Sequence, residues 1–171
     1  MPNIDKSIPW AFFDRAASQT GSGGGFILHI NDHHRYIVKM GFGRASNNFA
    51  ELSSIRNLMH FALSHMHTNI NIFGDSLLVV NWINNVTACH THTLSNILHD
   101  ALTLKAAFNQ FSCLHIYREH NGEADKLSKE ASSLPRGEWL IVEQNGTEEY
   151  RFFHRPYIDQ HEQRDNSPDG G

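Results

Sequence analysis

NINIFGDSLLVVNWI, residues 69–83, decides the fold. Its first half, NINIFGD, alternates and then turns apolar, the mark of a short strand over 69–75. Its second half, SLLVVNWI, fits a short helix over 76–83. An acid, Asp75, stands at the junction. Helical patterns lie on both sides of this strand, so it is reached and left by crossovers and pairs in parallel.

Toward the amino end, a helix is predicted from about Asn48 to His65. Phe49, Leu52, Ile55, Met59, Ala62 and Leu63 recur there at helical spacing, with Ser46 or Asn47 as the N-cap. Before it, FILHI and YIVKMGFG read as two strands joined by a turn at NDHH, and GSGGG at 21–25 reads as a further turn. IPWAFFD, residues 8–14, is apolar on both faces, as expected of a central strand ending in Asp14. Toward the carboxyl end come a loop (NNVTACHTHT), a helix over Thr93–Gln110, a strand over 112–119 and a helix over 121–134 stopped by Pro135.

The order is three strands, helix, strand, two helices, strand, helix. Hairpins followed by crossovers give an α/β fold. Its mixed five-stranded sheet has three antiparallel strands and then parallel ones, with helices on both faces. The domain is expected over residues 8–138. Residues 139–158 form a C-terminal extension that could add a small hairpin about Asn145-Gly146. Residues 159–171, polar with Pro and Gly, are expected to be disordered.

The chain has 171 residues, 40% of them apolar, enough for one real core. A formal net charge of −4 supplies no global basic field to attract nucleic acid; a local patch or bound ions would have to do so. Two cysteines make no disulfide scaffold, and the first residues carry no signal-peptide pattern. An intracellular protein, cytoplasmic or nuclear, is expected. No run approaches the roughly 18 apolar residues of a membrane span. A monomer is the expectation.

Four acids stand out by position. Asp14 closes the central strand, Asp75 follows the neighbouring one, and Glu51 and Asp125 lie in first turns of helices. Glu51 is in line with the apolar Ile55, Leu58 and Ala62. Strands one and four are neighbours in such a sheet, so the acids can gather at one edge. There they would repel one another unless cations lay between them. Oxygen clusters suit Mg²⁺ or Mn²⁺, and two ions can clamp the attacking and leaving oxygens of a phosphodiester. Singly, each acid has a plainer reading: Asp75 as an N-cap, Asp125 and Glu51 as complements to a helix dipole. Their joint arrangement points to metal.

FFDRAAS, SNNFAELSSI, INIFGDSLLVVNWI and REHNGEADKLSKEAS then resemble, in order, the four signature blocks of the type 1 ribonuclease H family. The likeness is strongest to its plant, reverse-transcriptase-like branch of retroelement proteins. It implies a two-metal nuclease that cuts the RNA strand of RNA–DNA hybrids, derived from or part of a retroelement polyprotein. It also places catalytic metal ligands on Asp14, Glu51, Asp75 and Asp125. The turn Ser46-Asn47-Asn48 would read 2′-hydroxyls of the hybrid. The sequence departs from the family in several places. Arg15 stands where Gly usually follows the first Asp, and could block the RNA backbone or contact a phosphate. Leu77 replaces a polar residue. His120 lies close before Asp125, where many members carry a histidine on a longer mobile loop. Residues 84–93 are neutral where a basic protrusion would grip the hybrid.

The remaining signals are weaker. Thirteen histidines include His33-His34, His65, His67, His90 and His92, but none forms a paired Cys/His set at structural-zinc spacing. GSGGG lacks the Lys and following helix of a phosphate loop. Arg15 and Leu77 also motivate a second reading, an inactive module that binds nucleic acid or a protein. A third, another nuclease on the same superfold, is disfavoured by the order of the four blocks.

Overall fold

A computed structural model describes residues 3–155. In chain order it forms β1 (Trp10–Ser18), β2 (Gly21–Asn31), β3 (His34–Gly43), α1 (Asn47–Ser64), β4 (Asn69–Gly74), α2 (Leu77–Ile83), α3 (His92–Ala106), β5 (Gln110–His115), α4 (Gly122–Ala131), β6 (Trp139–Asn145) and β7 (Glu148–His154). One sheet holds all the strands, in the order β5-β4-β1-β2-β3-β6-β7. β1 pairs in parallel with β4, and β4 with β5; the pairs toward β7 are antiparallel. The mixed sheet is therefore as the element order implies. A hairpin forms around Gly146 (φ +62°), and because β6 pairs along β3 it extends the five strands to seven. The tail expected over 159–171 lies outside the described residues.

The glycine run is a correction. GSGGG is no turn but the first half of β2, with the turn before it at Ser18–Gly21. The glycines are there for clearance. A Cβ on Gly23 would stand 2.4 Å from the Ser132 nitrogen, and one on Gly25 1.8 Å from Leu127 Cδ1, both on or just beyond α4. A Cβ on Gly24 would instead meet Ser54 of α1, 2.0 Å away. The alternation shows that α1 and α4 press on opposite faces of the same strand. Two boundaries also move. β1 continues past Asp14 to Ser18, because Asp14–Ser18 still pair with Gly25–Gly21. β5 begins at Gln110 and ends at His115, and a short 3₁₀ turn occupies Arg118–His120.

The main core lies between the sheet and α1, with α2 and α3 beside it. Ile55, Leu58, Met59 and Ala62 of α1 are fully buried, as the periodicity predicts. So is Arg56, whose Nε donates to Asn57 Oδ1 (2.8 Å) and whose Nη1 lies 3.7 Å from Asp100. That charge lies among the other buried polar residues of α1, Ser53, Ser54 and Asn57, and has no counterpart in the sequence reading.

Candidate metal centre

The parallel register of β1 and β4 sets Phe13 opposite Gly74, so Asp14 and Asp75 emerge side by side. α1 supplies the third acid. Ser46 caps it, its hydroxyl accepting from the Phe49 amide (3.1 Å), and the first turn carries Glu51 inward. Asp14, Glu51 and Asp75 present carboxylate oxygens all within 4.8 Å of one another. Asp14 is 5% exposed and Glu51 2% exposed.

Burial dominates the electrostatics of both. It raises Asp14 to about 7, helped by the charges of Asp75 and Asp125 and opposed by the Arg15 amide donating to Asp14 Oδ1 (2.8 Å). It raises Glu51 to about 9, reinforced by Asp14 and Asp75 and opposed by Arg15 and Arg118. Both carboxylate oxygens of Glu51 are buried and accept no hydrogen bond. Polar atoms so placed need a partner. A set of hard oxygens, two of them unserved by any protein donor, fits a divalent cation such as Mg²⁺ or Mn²⁺.

The other expected residues are spread around this trio. Asp125, in the first turn of α4, is close enough to act on Asp14 but stands outside the 4.8 Å group; Lys129 Nζ reaches its Oδ2 at 2.9 Å. Arg15 Nε lies 3.7 Å from Glu51 Oε2, an ion-pair distance without a hydrogen bond. Ser46 spends its hydroxyl on the helix cap; Asn47 is exposed and Asn48 half-buried. Exposed His120 lines a small cavity of about 100 Å³ with Phe12, Asn121, Glu123 and Ala124. Leu77 is 53% exposed at the start of α2, and the Ser76 hydroxyl, not Asp75, caps that helix.

Asn121 escaped the sequence reading. It is 1% exposed, and its Nδ2 donates to the Phe13 carbonyl (3.0 Å) and to Asp75 Oδ2 (3.2 Å). It stands at the N-cap of α4, yet its side chain makes no cap bond because it reaches β1 and Asp75 instead. Asn just before a helix ordinarily reads as a cap, which hid this role.

The fold and the acidic edge define a ribonuclease H-like protein. Solved structures agree. Ribonuclease H1 from the halophilic archaeon Halobacterium salinarum matches at 26% identity and TM-score 0.64, over 72% of this chain and 96% of that one. The amino-terminal RNase H domain of a Mycobacterium tuberculosis protein, solved as a fusion with maltose-binding protein, matches at 23% identity and TM-score 0.66, over 72% and 91%. A compost-derived RNase H1, solved in complex with an RNA/DNA hybrid, matches at 22% identity and TM-score 0.58, over 71% and 94%. The last two likenesses bear on the fold alone. No curated protein matches the sequence. The model of the reverse transcriptase-like family matches residues 13–131, well over half of the chain, and the chain belongs to that family.

Proposed function

We propose that the protein is a divalent-metal-dependent endonuclease that hydrolyses the RNA strand of RNA–DNA hybrids. The observation that carries this reading is the meeting of Asp14, Glu51 and Asp75 around two buried Glu51 oxygens that accept no hydrogen bond. Asp14, Glu51, Asp75 and Asp125 would hold two ions, Mg²⁺ or Mn²⁺. When bound, the ions would ease deprotonation of the attacking water and stabilise the leaving 3′ oxygen. The protein's own groups position. Asn121 holds one oxygen of Asp75 and ties it to β1. The turn Ser46-Asn47-Asn48 would face the 2′-hydroxyls, and Arg15 and His120 the phosphates. The retroelement ancestry, the plant branch and an intracellular site of action belong to the same proposal, which the family match over residues 13–131 supports.

A second reading, a hybrid- or protein-binding module without turnover, is favoured by one contact: the Arg15 guanidinium lies 3.7 Å from the Glu51 carboxylate. Cleavage of a labelled hybrid, with duplex DNA and single strands as controls, separates the two. The expected result is Mg²⁺- or Mn²⁺-dependent cutting of the RNA strand, lost in Asp75→Asn while the far-ultraviolet spectrum is unchanged. Binding without cutting at every ion concentration would establish the second reading.

A further inference from the structure

Among the described residues β7 is the outer edge of the sheet, and charged side chains are its one guard against pairing. Its seven residues, EEYRFFH, are all exposed and pair with β6 in unbroken register, without proline, glycine or bulge. Tyr150, Phe152 and Phe153 are 53%, 47% and 69% exposed.

The hydrogen-bond pattern shows which groups the edge offers. The Gly41 amide donates to Glu138 O (2.9 Å) and the Gly146 amide to His33 O (2.8 Å), bracketing the β3–β6 ladder at its two ends. Residues opposite one another in an antiparallel pair alternate between bonded and non-bonded. The even-numbered residues of β6 therefore bond β3, and the odd-numbered ones bond Glu148, Tyr150, Phe152 and His154 of β7. The amides and carbonyls of Glu149, Arg151 and Phe153 are left pointing outward.

We propose that this edge pairs with the same edge of a second copy, antiparallel about a two-fold axis through Phe152, joining the two seven-stranded sheets into one. Outward-facing residues must meet outward-facing residues, which admits only registers centred on a single residue. Centring on Arg151 sets two guanidinium groups directly opposite. Centring on Phe153 sets Arg151 against Arg155. Centring on Phe152 sets Glu149 against Arg155, Arg151 against the Phe153 ring, Tyr150 against His154, and Phe152 against its own copy. Centring on Tyr150 sets Glu149 against Arg151 but puts Phe152 against Glu148 and Phe153 against Thr147. Of these registers only the one centred on Phe152 combines opposite charges with a cation on an aromatic face. The Phe152 pair would also close the mouth of a cavity of about 250 Å³ between α1 and the hairpin, lined by His60, Phe61, His65, Trp139, Phe152 and His154. Within one chain Arg155 already reaches Glu138 (2.7 Å) and Arg151 reaches Glu149 (3.0 Å), so the Glu149–Arg155 contacts across the axis would share these groups with their partners in the same chain. The carboxylate site lies on β1 and β4, on the far side of β2, β3 and β6, so the proposal is independent of its chemistry.

The test uses the full chain. Light scattering and sedimentation equilibrium should give twice the mass of one chain for the wild type. Phe153→Pro, which removes an outward amide while leaving the β6 ladder intact, should give a single-chain mass. In a Cys89→Ser background, Phe152→Cys should form an intermolecular disulfide at least ten-fold faster than Arg151→Cys, because a non-bonded pair at the axis brings its Cα atoms to about 4.5 Å. A wild type of single-chain mass at several hundred micromolar would overturn the proposal. So would faster cross-linking through Arg151→Cys, which would mean the register centred on Arg151, and so would an undiminished dimer in Phe153→Pro.

Discussion

Raising the pH from 7 to 9 in the presence of EDTA should destabilise the protein, and the size of the effect follows from two side chains. Glu51 is held at about 9 against an ordinary 4.5, and Asp14 at about 7 against 3.8, chiefly by burial. Both folded values lie above the unfolded ones. The folded state therefore keeps protons that the unfolded chain has released, and stability falls as pH rises toward the folded values. Each pH unit over which one extra proton is held is worth about 1.4 kcal/mol. Between pH 7 and 9 Glu51 is protonated for most of the interval and loses roughly 2 kcal/mol. Asp14, already half titrated, adds roughly 0.4 kcal/mol. Burial lowers His29, His60 and His67, so there the unfolded chain holds the extra proton; their contribution has the opposite sign, fades by about pH 7.5 and opposes the loss only at the start of this window. The Cys113 thiol, pushed up to about 12, enters only near the top of the range. A loss of about 2–3 kcal/mol corresponds to about 4–12 °C in melting temperature for a domain of this size. Thermal and urea unfolding at pH 7 and 9 in EDTA would read it, beside Glu51→Gln. Saturating Mg²⁺ should abolish the slope, since ions that bind the ionised carboxylates stabilise only the folded state. Equal stability at pH 7 and 9 in EDTA, or the same slope in Glu51→Gln, would refute the reasoning.

Three further predictions bear on the same region. Arg15→Gln removes the cation 3.7 Å from Glu51 and should tighten Mn²⁺ binding about ten-fold by calorimetry, the partial exposure of Arg15 limiting the gain; unchanged affinity would exclude competition between Arg15 and the ions. Gly23→Ala puts a methyl group 2.4 Å from the Ser132 nitrogen and 2.5 Å from the Ala131 carbonyl carbon, atoms of backbone that cannot turn aside. It should cost about 3 kcal/mol in urea unfolding, near the upper end for overpacking. Asn121→Ala should cost about 1–3 kcal/mol and weaken Mn²⁺ binding, because it strips a buried donor from both the Phe13 carbonyl and Asp75.

The parts of the fold that were legible in the sequence are those whose pattern is local. The α1 stripe of Ile55, Leu58, Met59 and Ala62 has one period and one buried face, and the sheet order follows from hairpins preceding crossovers. The meeting of Asp14 and Asp75 was legible too, since each stands beside an apolar strand and the two strands are parallel neighbours. The illegible parts depend on partners distant in sequence. GSGGG reads as a turn because glycine permits turns. It is a strand because α4, a hundred residues on, lies against it with no room for side chains. That the hairpin expected around Asn145-Gly146 would lengthen the sheet was not legible, because nothing in WLIVEQNGTEEYRFF says that β3 has a free edge to receive it.

The misreading of the glycine run bears on the metal centre. Gly23 and Gly25 let α4 settle onto β2, and α4 is the element that sets Asn121 against Phe13 and Asp75 and brings Asp125 within electrostatic reach of Asp14. The glycine run is thus a positioning element for the acidic edge although it carries no chemistry. Widening the β2–α4 gap by one methyl group should loosen Asp75 along with the fold, so Gly23→Ala should lose Mn²⁺ affinity as well as stability. A core substitution of comparable destabilising effect on α3, such as Leu98→Ala, should lose stability alone, since α3 packs against α1 and α2 and neither hydrogen-bonded partner of Asn121 lies on it. Equal ion affinity in Gly23→Ala and the wild type, measured at a temperature where both are folded, would separate the packing of α4 from the geometry of the site.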